Sequence, residues 1–116
     1  MGTPTGLYGN FNLTVGEIDA RVGKSIGNYI AGNVIQADGS LVVKYVGRSD
    51  YDLNARLKNW VGSYSYFQYG HFNTQADAFD KECSLYHAFG GNASLDNAIH
   101  PAVPSGSSRK CPVCGA

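Results

Sequence analysis

An excess of charge of either sign is what this sequence lacks: nine Lys and Arg meet nine Asp and Glu, a formal net charge of zero. The molecule therefore has no bulk attraction for a polyanion, and nucleic acid can be held only by a local patch. Long apolar runs are missing as well. None approaches the roughly 20 residues that cross a bilayer, and Met1 to Asn10 does not follow the basic-then-apolar order of a signal peptide. The expectation is a cytoplasmic protein with no membrane contact. Cysteine is scarce, and three thiols cannot all pair within one chain. Two of them stand as Cys111-Pro112-Val113-Cys114, a spacing that suits a metal knuckle better than a structural disulfide. No internal repeat or low-complexity segment is evident.

What is present is the composition of an ordered globular chain, 43% hydrophobic with 12% aromatic and 16% charged residues over 116 positions. That length serves one modest core and is too short for two. The residues divide into a loose Gly- and Thr-rich lead with a short helix over 1–23, a core over 24–98, and an irregular tail over 99–116. Thr14 and Glu17 have capping-box spacing ahead of Val15, Ile18 and Val22. Two β-rich runs, Ile26 to Ile35 and Leu41 to Gly47, flank a turn at Gln36-Ala37-Asp38-Gly39-Ser40. If Asp38-Gly39 alone formed the loop, Tyr29 would oppose Arg48 and Tyr45 would face away from it. A three-residue loop, Ala37 to Gly39 with Gly39 left-handed, sets Tyr29 opposite Gly47 and Tyr45 opposite Ala31, so both phenols share a face. The odd-length loop is the expectation.

Ser49 or Asp50 is placed to cap a helix carrying Leu53, Leu57, Trp60 and Val61 inward, with Gly62 ending it. Tyr64 to Phe72 reads as a third, densely aromatic strand, and Thr74 opens the longest helix, which Gly90-Gly91 closes. The fold class is α/β (α+β), a small, mainly antiparallel three-stranded sheet flanked by helices.

The last helix carries a chemical signal of its own. Its apolar stripe is Ala78, Phe79, Leu85, Tyr86 and Phe89, and Glu82 falls inside that stripe. A carboxylate there must be protonated, paired or bound to a cation. The plain alternatives are a salt bridge to Arg56 or Lys44, or a stripe that ends at a solvent-facing cleft; the sharper one is a metal ligand.

Gly27-Asn28-Tyr29, Tyr45-Val46-Gly47, Arg56 within Leu53-Asn54-Ala55-Arg56-Leu57, and Glu82 within Ala78-Phe79-Asp80-Lys81-Glu82 resemble, in that order, the motifs of GIY-YIG nucleases. The resemblance runs from about Gly27 to Asn97. It implies hydrolysis of a DNA phosphodiester with one divalent metal. Glu82 would hold Mg²⁺ or Mn²⁺ against the scissile phosphate, Tyr29 and Tyr45 would position or deprotonate the attacking water, and Arg56 would neutralise charge growing on the phosphate. Arg48, three residues past Tyr45, would add a phosphate contact, Lys44 would line the same cleft, and Asn97 would support the site. Trp60 stands one turn after Arg56, where the family usually has His or Tyr; an indole donates but cannot act as a base. His71, near the end of the third strand, is the candidate to compensate.

A second constellation lies outside that core. Cys83 and His87 are four apart on the last helix, beside the Glu82 stripe, and with Cys111 and Cys114 they make a Cys₃His set of the kind that closed tetrahedral zinc prefers. His100 is the substitute ligand should His87 face away. Such a zinc would be structural, pinning the tail to the back of the helix. The sequence is thus read as a metal-dependent DNA endonuclease. The rival is a catalytically idle, zinc-stapled module of the same fold that binds nucleic acid or protein, and a mainly structural small zinc protein stands third.

Overall fold

The computed structural model describes residues 5–97 and 100–115. The first four residues of the expected lead, the expected boundary at 98–99 and the last residue of the tail lie outside that range. The described chain is an α+β domain around a four-stranded sheet, antiparallel throughout, in the order β1-β4-β2-β3.

The fourth strand corrects the three-stranded expectation. β1, Tyr8–Asn12, forms inside the segment read as a loose lead and pairs with β4, Tyr66–His71. Its own residues, rich in Gly and Asn, carry little β-propensity. Pairing comes instead from aromatic contacts across the strands: Phe11 meets the rings of Phe67 and Tyr69 at 5.7 and 6.0 Å, and the Arg21 guanidinium covers its outer face at 4.1 Å.

Local signals place the helices. α1, Val15–Arg21, begins at Thr14, whose hydroxyl accepts the Glu17 N–H at 3.2 Å. α2, Leu53–Lys58, is capped by Asp52 rather than by Ser49 or Asp50: its carboxylate accepts the Ala55 N–H at 3.0 Å. Ser49 instead shapes the preceding turn by accepting the Asp52 N–H at 2.9 Å. α3, Gln75–Ala88, starts as expected at Thr74, which accepts the Asp77 N–H.

Between β2, Gly27–Gly32, and β3, Tyr45–Ser49, the odd-length loop forms. Gln36 N–H donates to the Ser40 carbonyl at 2.8 Å, Ile35 bridges Leu41, and Gly39 takes a φ of +88°. The register follows, with Tyr29 opposite Gly47 and Ala31 opposite Tyr45. Alternation along the strands then builds two layers. Tyr29, Phe67, Tyr45 and Tyr69 pack with Ile18, Leu53 and Leu57 of α1 and α2, while Ile30 and Val46 pack with Leu85 and Tyr86 of α3. No helix among the described residues is long and apolar enough to cross a membrane.

Candidate active site and metal centre

The two phenols meet on the α1/α2 face of β2 and β3. Tyr29 is buried, 1% exposed, and its ring lies across Gly47 of the neighbouring strand, where a Cβ would overlap the phenol carbons and oxygen. Only a glycine leaves that space. Tyr45 stacks beside it, centroids 6.1 Å apart and planes 17° from parallel, and Trp60 closes on Tyr45 at 4.3 Å. The Trp60 indole N–H donates to the Tyr29 hydroxyl oxygen, so the phenol keeps its own proton for another acceptor. Burial is the main force holding Tyr29 in the neutral form, with Tyr45 adding to it and Trp60 and Arg56 opposing. Tyr45, half-buried, is pushed the same way by burial and by the charge of Glu82, against Arg56.

Arg56 is exposed on α2, and its charge favours ionisation of both phenols, while that of Glu82 disfavours it. The phenols and Arg56 thus belong to the α1/α2 side of the sheet, while Glu82 comes from α3 on the other side, and its charge still reaches both phenols.

Glu82 is paired. Its partner is Arg48 of β3, not Arg56 or Lys44: Arg48 Nη1 donates to Glu82 Oε1 at 2.9 Å, and Arg48 Nε donates to Asp50 Oδ1 at 2.6 Å. The side chains of Arg48, Asp50 and Glu82 are 10%, 17% and 11% exposed, so two carboxylates share one guanidinium away from bulk water. Burial pushes the Glu82 carboxyl up to about 7; Arg48 opposes that shift and Asp50 reinforces it. Sequence reasoning missed Asp50 as a partner, although it stands two residues from Arg48, just past the end of β3. Next to this group, the buried Asn28 donates to the Ala78 carbonyl at 2.8 Å, while its Oδ1 has no hydrogen-bond partner among the described residues.

Three further candidates take other positions. Lys44 is exposed; its main-chain carbonyl accepts the Asp96 N–H at 2.6 Å. Asn97 is buried and grips the main chain of β3 between Tyr45 and Gly47: its Oδ1 accepts the Val46 N–H at 3.0 Å and its Nδ2 donates to the Val46 carbonyl at 2.8 Å. It positions the edge strand. His71, at the end of β4, is engaged at both nitrogens: Nε2 accepts the Gly23 N–H at 3.0 Å and Nδ1 lies 3.0 Å from the Ile26 carbonyl. That ring clasps the loop entering β2 and is not brought to Glu82.

The tail reaches this site, where His100 to Ala102 form a strap beside Arg48 and Glu82. The Ala102 carbonyl accepts from Arg48 Nη1 at 2.8 Å, His100 lies close enough for its charge to favour the ionised form of Glu82, and Arg109 forms an ion pair with Asp80 of α3.

No protein-family model, curated protein or solved structure matches the chain. Its chemistry is read from its own residues.

Beside the strap, the ligand atoms of His87, His100, Cys111 and Cys114 all lie within 4.8 Å of one another, a His₂Cys₂ group that could hold a metal such as zinc. This corrects the Cys₃His set: His100 joins, and Cys83 drops out although His87 does not face away. Cys83 lies on the buried stripe, packed with Phe79 and Cys111. Burial first, then contact with Cys111, holds its thiol in the protonated form. At Cys111 burial opposes ionisation, but the main-chain N–H groups of Cys114 and Val113, with Cys83 and His100, outweigh it and bring the thiol down to about 5.

Proposed function

We propose that the protein is a metal-dependent endonuclease of the GIY-YIG type acting on DNA. The observation that carries this reading is the stacked pair Tyr29 and Tyr45, laid over Gly47 and lying within the fields of both Arg56 and Glu82.

The donor set fits a hard divalent cation. Glu82 and Asp50 offer oxygens, already bracket one positive charge, and have next to them the unpartnered Asn28 oxygen. Glu82, with Asp50, would hold Mg²⁺ or Mn²⁺, which when bound would supply the positive charge that a phosphodiester needs for polarisation. Arg48, which now holds Glu82 and Asp50, would have to yield Glu82 Oε1 to such an ion, and its guanidinium would then be free for a phosphate. Tyr29, held neutral and accepting from Trp60, donates its proton as a hydrogen bond and so orients an oxygen rather than ionising. Tyr45, half-buried and likewise held in the neutral form, would use its hydroxyl to position the attacking water. Arg56, solvent-facing, meets the developing charge on the phosphate from the α2 side. Lys44, also exposed, adds a phosphate contact that positions DNA without reading its sequence.

Supercoiled plasmid incubated with Mg²⁺ or Mn²⁺ tests the reading. The expected outcome is metal-dependent nicking that Glu82→Ala abolishes and Tyr29→Phe weakens at least tenfold. A preparation that never nicks in either metal supports instead the idle, zinc-stapled binding module. One specific observation favours that second reading, the closed Arg48 to Glu82 pair under the Ala102 strap.

A further inference from the structure

We infer that His87, His100, Cys111 and Cys114 form a closed tetrahedral Zn²⁺ site that buckles the tail onto the end of α3. This holds whether or not the chain cuts DNA.

The geometry matches the ion. Zinc bonds of about 2.0 Å to nitrogen and 2.3 Å to sulfur set tetrahedral edges of about 3.3 Å between two nitrogens and about 3.6 Å between nitrogen and sulfur. His87 Nε2 lies 3.2 Å from His100 Nε2, and Cys114 Sγ lies 3.4 Å from the same nitrogen. Two imidazole nitrogens and a thiol sulfur thus stand at the separations of ligands around one small cation. With Cys111, every donor lies within the 4.8 Å span of the group.

The tautomers and hydrogen bonds around the group agree. His100 Nδ1 is 2.9 Å from the Pro101 carbonyl. A carbonyl only accepts, so the ring proton is on Nδ1 and the Nε2 lone pair is free to point into the cluster. Cys83 packs against Cys111 from the buried side, with Phe79. Cys83 is therefore a neighbour of a ligand and not itself a ligand. His87 is anchored in the last turn of α3, where Tyr86 and His100 pack around it. Four protein donors leave no open position, so the ion is structural.

The site also fixes the strap. Only Pro101 separates the ligand His100 from Ala102, whose carbonyl holds Arg48. Zinc at one end of that short segment thereby sets the position of the other over the Glu82 pair.

Metal analysis and cobalt spectroscopy on the full chain test this without any cleavage assay. Protein purified with zinc present is expected to retain about one Zn²⁺ per chain after gel filtration. Replacement by Co²⁺ should give the intense visible bands of tetrahedral coordination and sulfur-to-metal charge transfer scaled to two thiolates. Cys114→Ser and His100→Ala should lose the ion, and Cys83→Ala should keep it with the two-thiolate signature. Chelation should lower the melting temperature by several degrees. Failure to retain zinc, weak octahedral bands, or a charge-transfer intensity of three thiolates in the unaltered chain would each overturn the proposal. The thiolate count needs no variant to fold.

Discussion

The ring of Tyr29 lies across the α-carbon of Gly47 on the next strand, filling the space that any side chain at 47 would occupy. Gly47→Ala should therefore displace the phenol and cost about 1–3 kcal/mol, as overpacking does. Trp60 is the only tryptophan and donates to the Tyr29 hydroxyl, so its fluorescence should shift together with the melting temperature. A variant with unaltered emission and melting would show that the glycine is not what makes room for Tyr29.

Arg48 holds two buried carboxylates, Asp50 and Glu82. Above pH 7, where Glu82 is ionised, removing it by Arg48→Ala leaves both without a counter-charge, an expected loss of about 3–5 kcal/mol. Divalent cations should recover part of that loss if these oxygens accept a metal. Urea melts with and without Mg²⁺ measure the recovery, and none at millimolar Mg²⁺ would argue against a cation at Glu82.

The carboxyl of Glu82 keeps its proton to about pH 7 in the fold, against 4.5 for an ordinary glutamate, mainly because it is buried. Between those values the folded chain binds more protons than the unfolded chain, so this group makes stability fall as pH rises through the window. In metal-free protein, Glu82→Gln should gain on the unaltered chain by about 3 kcal/mol from below pH 4.5 to above pH 7. A difference that stays flat, or runs the other way, would mean that Arg48 keeps the carboxylate ionised throughout.

Asn97 completes both main-chain groups of Val46. Asn97→Ala strips them at once, and the expected cost is about 2 kcal/mol, in line with buried groups left unpaired. Asn97→Asp should be worse than its size suggests, because a carboxylate then faces the Val46 carbonyl. Thermal melts of the two variants decide this.

The hairpin was legible in the sequence because Gly39 and the spacing of Tyr29 from Tyr45 leave one register that puts both phenols on one side. The caps at Thr14 and Thr74 were legible for a similar reason, since a hydroxyl three residues before an N–H is a local device. β1 was not, because Phe11 becomes part of a strand only when the rings of Phe67 and Tyr69 are already beside it. In the candidate site, the burial of Glu82 followed from its place in the α3 stripe. Its partner did not, because which cation reaches a buried acid is decided by a neighbouring strand. The metal group shows the same division: Cys111 and Cys114 announce themselves by spacing, whereas choosing His100 over Cys83 required knowing how the tail returns to the helix.

Asn97 and the Asp96 N–H together occupy main-chain groups of Lys44 and Val46 on the outer side of β3, as another strand would. That stretch of one margin is thereby occupied, and the opposite margin is β1, whose pairing shifts register between Tyr8 and Phe11. A further strand approaching β3 at Lys44 and Val46 would therefore have to displace Asn97 before it could pair.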